Sequence, residues 1–502
     1  MMKNNHFARF LPNLTGIILT MVFLGVILLG PKLFSYDGDL GRHITIGNFI
    51  LDRGEIPLQD EFSWTMYGEM LVPHEWMADV FFALANRMMG LNGVVILTAL
   101  IISGTIAFIF NQCLTRSGQF FGSLLLILLG AGASSIHWLA RPHIFTFMFL
   151  AFWIALVEKL LKDRRTWLGL PAAMMIWVNF HGAFLAGFMV LGMYCAGLLW
   201  EYLEARQAEE KNKRRKQMVS LVLAGGAALL TSFINPAGYR VWNLGVGYLQ
   251  NTYLVNGTQE YRSPDFHIQS AWPFLLLIGL SLVLVSIMAS HQKLRKADVL
   301  MLSGWTVMAL FSARNIPLYV VAVVPILCQV WGKLEWPAFF RKRDERLLLI
   351  ENSPRLPAWY FAVMVLAVIF LLGKGIPMDL HMKGNQFDAT IFPVKAVDWL
   401  EKNPQSGNGY NEFFWGGYLL YRLWPEQKVF IDGQTDFYGE QLTRDYMAIR
   451  EMGDGWQTKI EDYQIDWMII PTKSNLAQTL MNDQNWNLLY QDETAVVLQH
   501  ER

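Results

Sequence analysis

Tyr36-Asp37-Gly38-Asp39-Leu40-Gly41-Arg42-His43 sets two carboxylates at i and i+2, an arginine and a histidine directly after an apolar run from Leu14 to Phe34. Charge at the edge of such a run is costly unless it is solvated, paired or used. An Asp-x-Asp pair can take a proton from a hydroxyl, bind a cation, or cap a helix starting at Leu40. Arg141, His143 and Arg314 flank other apolar runs, and Glu260 sits in a polar stretch between two of them. The planar fork of arginine suits phosphate oxygens, and snorkelling to lipid headgroups is the competing role. His143 and His74-Glu75 could ligate a metal or a phosphate but match no recognised ligand spacing, so capping or hydrogen bonding is the simpler role. Asn179-Phe180-His181 reads as a tight turn.

The elements that must position these groups are mostly apolar helices. Of the 502 residues 53% are hydrophobic and only 16% charged, against roughly 25% charged in soluble domains. This is the balance of a polytopic membrane protein, and a formal net charge of zero gives no sign of a nucleic-acid partner. The three cysteines, Cys113, Cys195 and Cys328, form neither a disulfide framework nor a metal-ligand spacing.

A spanning helix needs roughly 20 apolar residues. Runs near that length fall at 14–34, 91–112, 119–138, 143–161, 183–202, 218–234, 271–290, 298–313, 316–333 and 357–376, with a shorter one at 167–180. Lys3 and Arg9 precede the first run, which exceeds the ~7–15 residues of a signal-peptide core and lacks a small-x-small cleavage site. It reads as a retained helix. Basic clusters occur at Lys159-Lys162-Arg164-Arg165, Lys211-Lys213-Arg214-Arg215-Lys216, Lys293-Arg295-Lys296 and Arg341-Lys342-Arg343-Arg346. With the N-terminus in the cytoplasm and eleven crossings, every cluster lies inside, as positive charge prefers. Dropping the short run would invert everything after it. Six of the ten histidines, Asp37, Asp39, Glu75, Glu260, Arg141 and Arg314 then fall together at the outer rim.

Residues 35–90 form the first outer loop. Leu40, Ile44, Gly47, Ile50 and Leu51 predict a helix ending at Gly54 and lying along the membrane surface, and a second helix runs from near Pro73 to Gly90. Residues 235–270 form a later outer loop. After Pro377 the chain reads as a soluble α/β unit: a helix through Val394, Val397 and Leu400, then strands at Lys428–Ile431, Trp467–Ile470 and Ala495–Gln499. The fold class is thus a polytopic α-helical membrane domain, 1–376, with a small extracytoplasmic α/β domain, 377–502, in the plasma (inner) membrane.

This layout resembles the GT-C superfamily of integral-membrane glycosyltransferases: one helix, a long outer loop opening on Asp-x-Asp, many further helices and an outer soluble tail. In the tail, Ala396-Val397-Asp398-Trp399-Leu400-Glu401-Lys402-Asn403-Pro404, Phe413-Phe414-Trp415-Gly416-Gly417-Tyr418 and Val429-Phe430-Ile431-Asp432-Gly433-Gln434-Thr435 resemble oligosaccharyltransferase catalytic subunits. Those carry a WL-x-x-N-x-P helix end, a WWDYG motif and a strand ending Asp-Asn-x-Thr. Here the acid of WWDYG is absent, and the family's second acidic motif is replaced by His137-Trp138-Leu139-Ala140-Arg141-Pro142-His143.

The resemblance implies transfer of a sugar from a polyprenyl-phosphate-linked donor to a glycan, lipid or protein acceptor. It implies Asp39 as base with Asp37 in support, and Arg141, Arg314 and His143 on the donor phosphate. It places Glu260, Trp415 and Tyr418 at the acceptor, and a divalent metal, Mg or Mn, on Asp39 and His143. No Gly-rich phosphate loop follows a strand, which leaves a nucleotide-sugar donor without support. The alternatives are a non-catalytic scaffold of the same architecture and a transporter or lipid flippase. Transporters place ionisable groups near the midplane, whereas here they gather at one rim.

Overall fold

The computed structural model describes residues 12–291, 294–351 and 359–501. Lys3, Arg9, Lys293 and the first residues of the 357–376 run lie outside them. Every one of the apolar runs carries a helix. Among the described residues six helices are long and apolar enough to cross a membrane: Leu91–Ser117, Phe120–His137, His143–Lys162, Gly182–Glu204, Gln269–Met288 and Ala313–Gly332. Leu14–Leu29 and Trp359–Gly373 are shorter apolar helices.

The short run forms the helix Gly169–Trp177, whose nine residues rise only about 13 Å. Its direction follows from its neighbours. Thr146 bonds His181 at 2.9 Å, Trp153 Nε1 donates to the Gly187 carbonyl at 2.8 Å, and the Tyr194 hydroxyl donates to Glu158 at 2.5 Å. Partner numbers rise together, so the His143–Lys162 and Leu185–Glu204 helices run parallel. The chain between them must return, and Gly169–Trp177 with its flanking turns makes that return.

One end of the bundle gathers the basic residues. Arg295 and Arg116 approach Glu158 at 2.7 and 3.6 Å, and Arg214 pairs with Glu201 at 3.1 Å. At this end Asp344 accepts from the amides of Phe120 and Phe121, and Glu351 accepts from the Leu14 amide. Carboxylates there satisfy helix N-termini that lack internal partners. The opposite end carries Arg141, His143, His181, Glu260 and Arg314.

The helix Leu40–Arg53 forms as its periodicity predicts and ends at Gly54, which adopts φ 70°. It is packed within the protein. Ten of its fourteen residues are buried, between the Trp76–Met89 helix on one side and the Gly416–Leu423 helix on the other. The apolar stripe was legible, whereas the cover on its remaining face comes from almost 400 residues downstream.

The tail holds a four-stranded sheet in the order Asn408–Asn411, Ile465–Pro471, Ala495–His500, Trp486–Gln491, with the first pair parallel and the others antiparallel. Two of the three expected strands are present. Lys428–Ile431 is instead an irregular segment. The Val429 amide donates to Phe62 and the Val429 carbonyl accepts from Trp64, so the segment is committed to the outer loop rather than to the sheet. The sheet is covered on both faces, as the alternation of strand side chains requires. Trp467, Ile469, Ala495 and Val497 enter the core shared with the helical bundle, while Met468, Ile470, Val496 and Leu498 enter a second core with Tyr438, Leu442, Tyr446 and Ile449.

Candidate functional site

The turn after the first helix is fixed by its own side chain: the Asp39 amide donates to Asp37 Oδ1 at 3.1 Å. Asp39 precedes the Leu40–Arg53 helix, but its carboxylate makes no capping bond. It reaches across the site instead. Asp39 Oδ2 meets Arg141 Nη2 at 2.5 Å, Asp37 Oδ2 lies 3.3 Å from Arg141 Nε, and Glu260 Oε1 lies 3.0 Å from Arg141 Nη1. One guanidinium thus faces three carboxylates from two loops.

Each arm is anchored by backbone bonds. The Ala140 amide donates to the Leu33 carbonyl, which ties the Arg141 turn to the end of the first apolar segment. Ser312 Oγ donates to the Glu260 carbonyl at 3.1 Å, and the Ala313 amide donates to the Arg262 carbonyl. Those bonds bring Arg314 alongside: its Nη1 donates to the Tyr261 hydroxyl at 2.8 Å, its guanidinium carbon lies 5.1 Å from the Tyr261 ring centre, and it stands 4.0 Å from Glu260.

The electrostatics differ among the three acids. Burial pushes the Asp37 carboxyl up to about 7; Arg141 opposes this and the Asp39 charge adds to it. Burial would also raise Glu260, but Arg141 and Arg314 outweigh it and hold that carboxyl at about 2. Glu260 is therefore a fixed anion near neutral pH, and Asp37 titrates there.

A second layer lies behind Asp39. Arg42, buried, donates to Gln434 Oε1 at 3.1 Å and stands 3.7 Å from Glu75 and 3.9 Å from Asp432. Glu75 in turn lies 3.7 Å from His74 Nε2 and 3.6 Å from His181 Nε2. His43 and Asp79 share a hydrogen bond of 2.7 Å, and burial lowers the former and raises the latter, which favours a neutral pair. Burial also lifts Asp432 to about 6 against the pull of Arg42. Arg42, Asp432 and Gln434 went unrecognised as site residues in the sequence. The available signal was the Val429–Thr435 match, which marked a motif without saying what it touches.

The tail meets the Asp-x-Asp loop backbone to backbone. A Cβ on Gly417 would overlap the Gly38 carbonyl, and one on Gly433 would overlap Asp39 Oδ1. This close approach explains why glycine stands at those two places.

Several expected site residues are placed elsewhere. Trp415 and Tyr418, expected at the acceptor, are 3% and 1% exposed. Trp415 Nε1 donates to the Ile391 carbonyl, and Tyr418 packs on Phe387 and Phe392 while its hydroxyl accepts from Arg422. They pin the tail's glycine seam and present no face for stacking. His143, expected on phosphate or metal, bonds the His137 carbonyl through Nε2 at 2.7 Å. Asn179 is structural: its amide donates to the carbonyls of Met175 and Ile234, and its oxygen accepts from Trp76.

A divalent metal on Asp39 and His143 does not fit this arrangement. Asp39 faces Arg141, His143 uses Nε2 on a carbonyl, and among the described residues no three His, Cys, Asp or Glu side chains are arranged to hold an ion.

Close to the site, an apolar cavity opens between helices, lined by Ile102, Thr105, Ile106, Trp138, Phe147 and Pro317. Trp138 and Pro317 stand three positions along the chain from Arg141 and Arg314, and neither arginine lines the cavity itself.

No protein-family model and no curated protein sequence matches the chain. Solved structures do. The apo crystal structure of the Archaeoglobus fulgidus oligosaccharyltransferase matches over 94% of this chain and 70% of its own length, with a TM-score of 0.55 at 10% identity. The same enzyme tethered to an acceptor peptide containing the NVT sequon matches over 91% and 69%, with a TM-score of 0.54 at 11% identity. The archaeal oligosaccharyltransferase AglB from that organism, in complex with an inhibitory peptide and a dolichol-phosphate, matches over 91% and 69%, with a TM-score of 0.56 at 11% identity. The chain shares the fold of these solved structures across nearly its whole length.

Proposed function

We propose that this chain is a membrane glycosyltransferase that moves a sugar from a polyprenyl-phosphate-linked donor to an acceptor on the extracytoplasmic face. The observation that carries the reading is the convergence of Asp37, Asp39 and Glu260 on Arg141, with Arg314 beside Glu260. The fold shared with a protein solved with a dolichol-phosphate supports the donor class.

In this reading the acceptor oxygen gives its proton to the Asp39 carboxylate and attacks the anomeric carbon. The bond from that carbon to the donor phosphate oxygen breaks, and the phosphate leaves with the electron pair. Negative charge growing on that oxygen is met by the guanidinium groups of Arg141 and Arg314, whose forked donors are set in place beforehand. Glu260 and Asp37 hold Arg141 in orientation. The isoprenoid chain of the donor runs along apolar helix faces of the bundle, where its surface is withdrawn from water.

The eleven helices are read as eleven crossings of the plasma (inner) membrane, with a cytoplasmic N-terminus and residues 377–502 outside. A C-terminal reporter that works only in the cytoplasm is expected to be silent, and activity would overturn this topology. For the chemistry, Asp39→Asn is expected to lower incorporation of a labelled lipid-linked sugar by roughly 10²–10⁴-fold. Undiminished transfer would remove Asp39 as the base. Mass spectrometry of glycans and lipids from a deletion strain identifies the acceptor.

A further inference from the structure

We propose that the Arg141 guanidinium is the resident cation of this centre and fills the place among Asp37, Asp39 and Glu260 that a divalent metal would need. The inference deepens the glycosyltransferase reading and rests on it for its catalytic meaning, while its test reads cation binding alone.

The geometry assigns one guanidinium nitrogen to each carboxylate: Nε to Asp37 at 3.3 Å, Nη2 to Asp39 at 2.5 Å and Nη1 to Glu260 at 3.0 Å. A hard divalent ion needs carboxylate oxygens at about 2.0–2.6 Å around a shared centre. Here Asp39 and Glu260 are hydrogen-bonded to the guanidinium, Asp37 Oδ2 faces its Nε at ion-pair distance without a hydrogen bond, and the planar cation between them leaves no common point for such an ion. A guanidinium carries five N–H donors and no protonation state to lose near neutral pH. Three donors face carboxylates, so two remain on the terminal nitrogens for a phosphate oxygen.

The arginine is held by more than its charge. It follows a backbone bond from Ala140 to Leu33 and precedes Pro142, whose fixed φ starts the His143–Lys162 helix. Its side chain is 24% exposed, enough to meet a ligand from one side. His143, two residues on, is the nearest imidazole in sequence that could complete a metal set, and its Nε2 is bound to the His137 carbonyl. Removing the guanidinium would leave three carboxylates facing one another, with Arg314 at 4.0 Å from Glu260 and Arg42 behind Asp39 as the remaining nearby cations. The three carboxylates share no common point in the present arrangement, but without the guanidinium their mutual repulsion is relieved by a divalent cation that draws them together, so a metal site should emerge when the arginine is removed.

The experiment measures Mn²⁺ binding by electron paramagnetic resonance on the purified full-length protein in detergent. Wild type is expected to leave added Mn²⁺ free. Arg141→Ala is expected to bind one Mn²⁺ at least roughly tenfold more tightly, since affinity rises with ligand charge in a site freed of its own cation. Adding Asp39→Asn to Arg141→Ala should abolish that binding. One Mn²⁺ bound by wild type and lost in Asp39→Asn would overturn the proposal, as would a folded Arg141→Ala protein with no gain. Arg141→Gln keeps much of the side-chain volume and serves if the alanine variant does not fold. If neither Arg141 variant folds, the wild-type measurement with Asp39→Asn as its control decides the matter. Because no arm requires sugar transfer, an inactive assay would count against the proposed function without touching this result.

Discussion

Replacing Gly433 by alanine puts a methyl group where the Asp39 carboxylate lies. An ideal Cβ at this position overlaps Asp39 Oδ1, and Gly433 belongs to the tail while Asp39 belongs to the first outer loop. One of the two must retreat. Gly433 cannot do so freely, because the Gln434 amide on one side donates to Asp432 Oδ1 at 2.8 Å and Gln434 Oε1 accepts from Arg42 at 3.1 Å. The carboxylate therefore moves, by on the order of 1 Å, and its 2.5 Å contact with Arg141 is broken. A displacement of about 1 Å in a reacting group can cost about 10²-fold in rate, and overpacking of this kind costs roughly 1–3 kcal/mol in stability. Transfer of labelled sugar from a lipid-linked donor should fall about 100-fold with a modest loss in thermal midpoint. Gly453→Ala is the control, since a Cβ there finds its nearest neighbour at 3.7 Å, in ordinary contact distance. Wild-type transfer by a folded Gly433→Ala protein would refute the idea that the tail positions Asp39.

Three other outcomes follow from the same geometry. Tyr418→Phe removes the hydroxyl that accepts from Arg422 at 2.8 Å and should cost about 1 kcal/mol in thermal unfolding while leaving the acceptor KM unchanged; a raised KM would return Tyr418 to the acceptor site. Asp37 keeps its proton to about pH 7 in the fold and to about 3.8 when unfolded, so its contribution to stability is full below 3.8 and is lost as pH rises through 7. Thermal midpoints taken from pH 5 to 8 should therefore fall less steeply for Asp37→Asn than for wild type, and parallel curves would rule out the raised pKa. At the far end of the bundle, Arg295→Met strips the ion pairs to Glu158 and Asp298 and should destabilise by several kcal/mol with no change in the KM of the donor, because it leaves buried Asp298 without its cation and Glu158 with only Arg116 and Tyr194. A donor KM shift there would mean that the two ends communicate.

Much of the architecture lay in the residue pattern. Apolar runs fixed where the helices are, because a segment that leaves water must satisfy its backbone within itself. The short 167–180 run needed the loop charges to be read as a crossing; the structure shows that its neighbours run parallel, so the chain returns between them. The strands at Trp467 and Ala495 were legible because alternate residues face two different cores. Lys428–Ile431 has the same strand-forming composition, but its backbone bonds go to Phe62 and Trp64, a choice that no local pattern records.

The site divides along the same line. Residue type and the edge of an apolar run marked Asp37, Asp39, Arg141, Glu260 and Arg314, since charge placed there has few reasons to exist. Their meeting is tertiary: Arg141 faces both an aspartate 102 positions before it and a glutamate 119 positions after it. Tertiary structure also reversed two assignments. Trp415 and Tyr418 have the right chemistry to stack on a ligand, but packing against Phe387, Phe392 and Ile391 used their faces first. Asp39 and His143 have the right atoms for a metal, but a guanidinium and a backbone carbonyl reached them instead. Sequence alone determined which side chains are expensive to bury, because that cost belongs to each residue. Only the fold decided which partner offsets it, because that depends on distances between segments far apart in the chain.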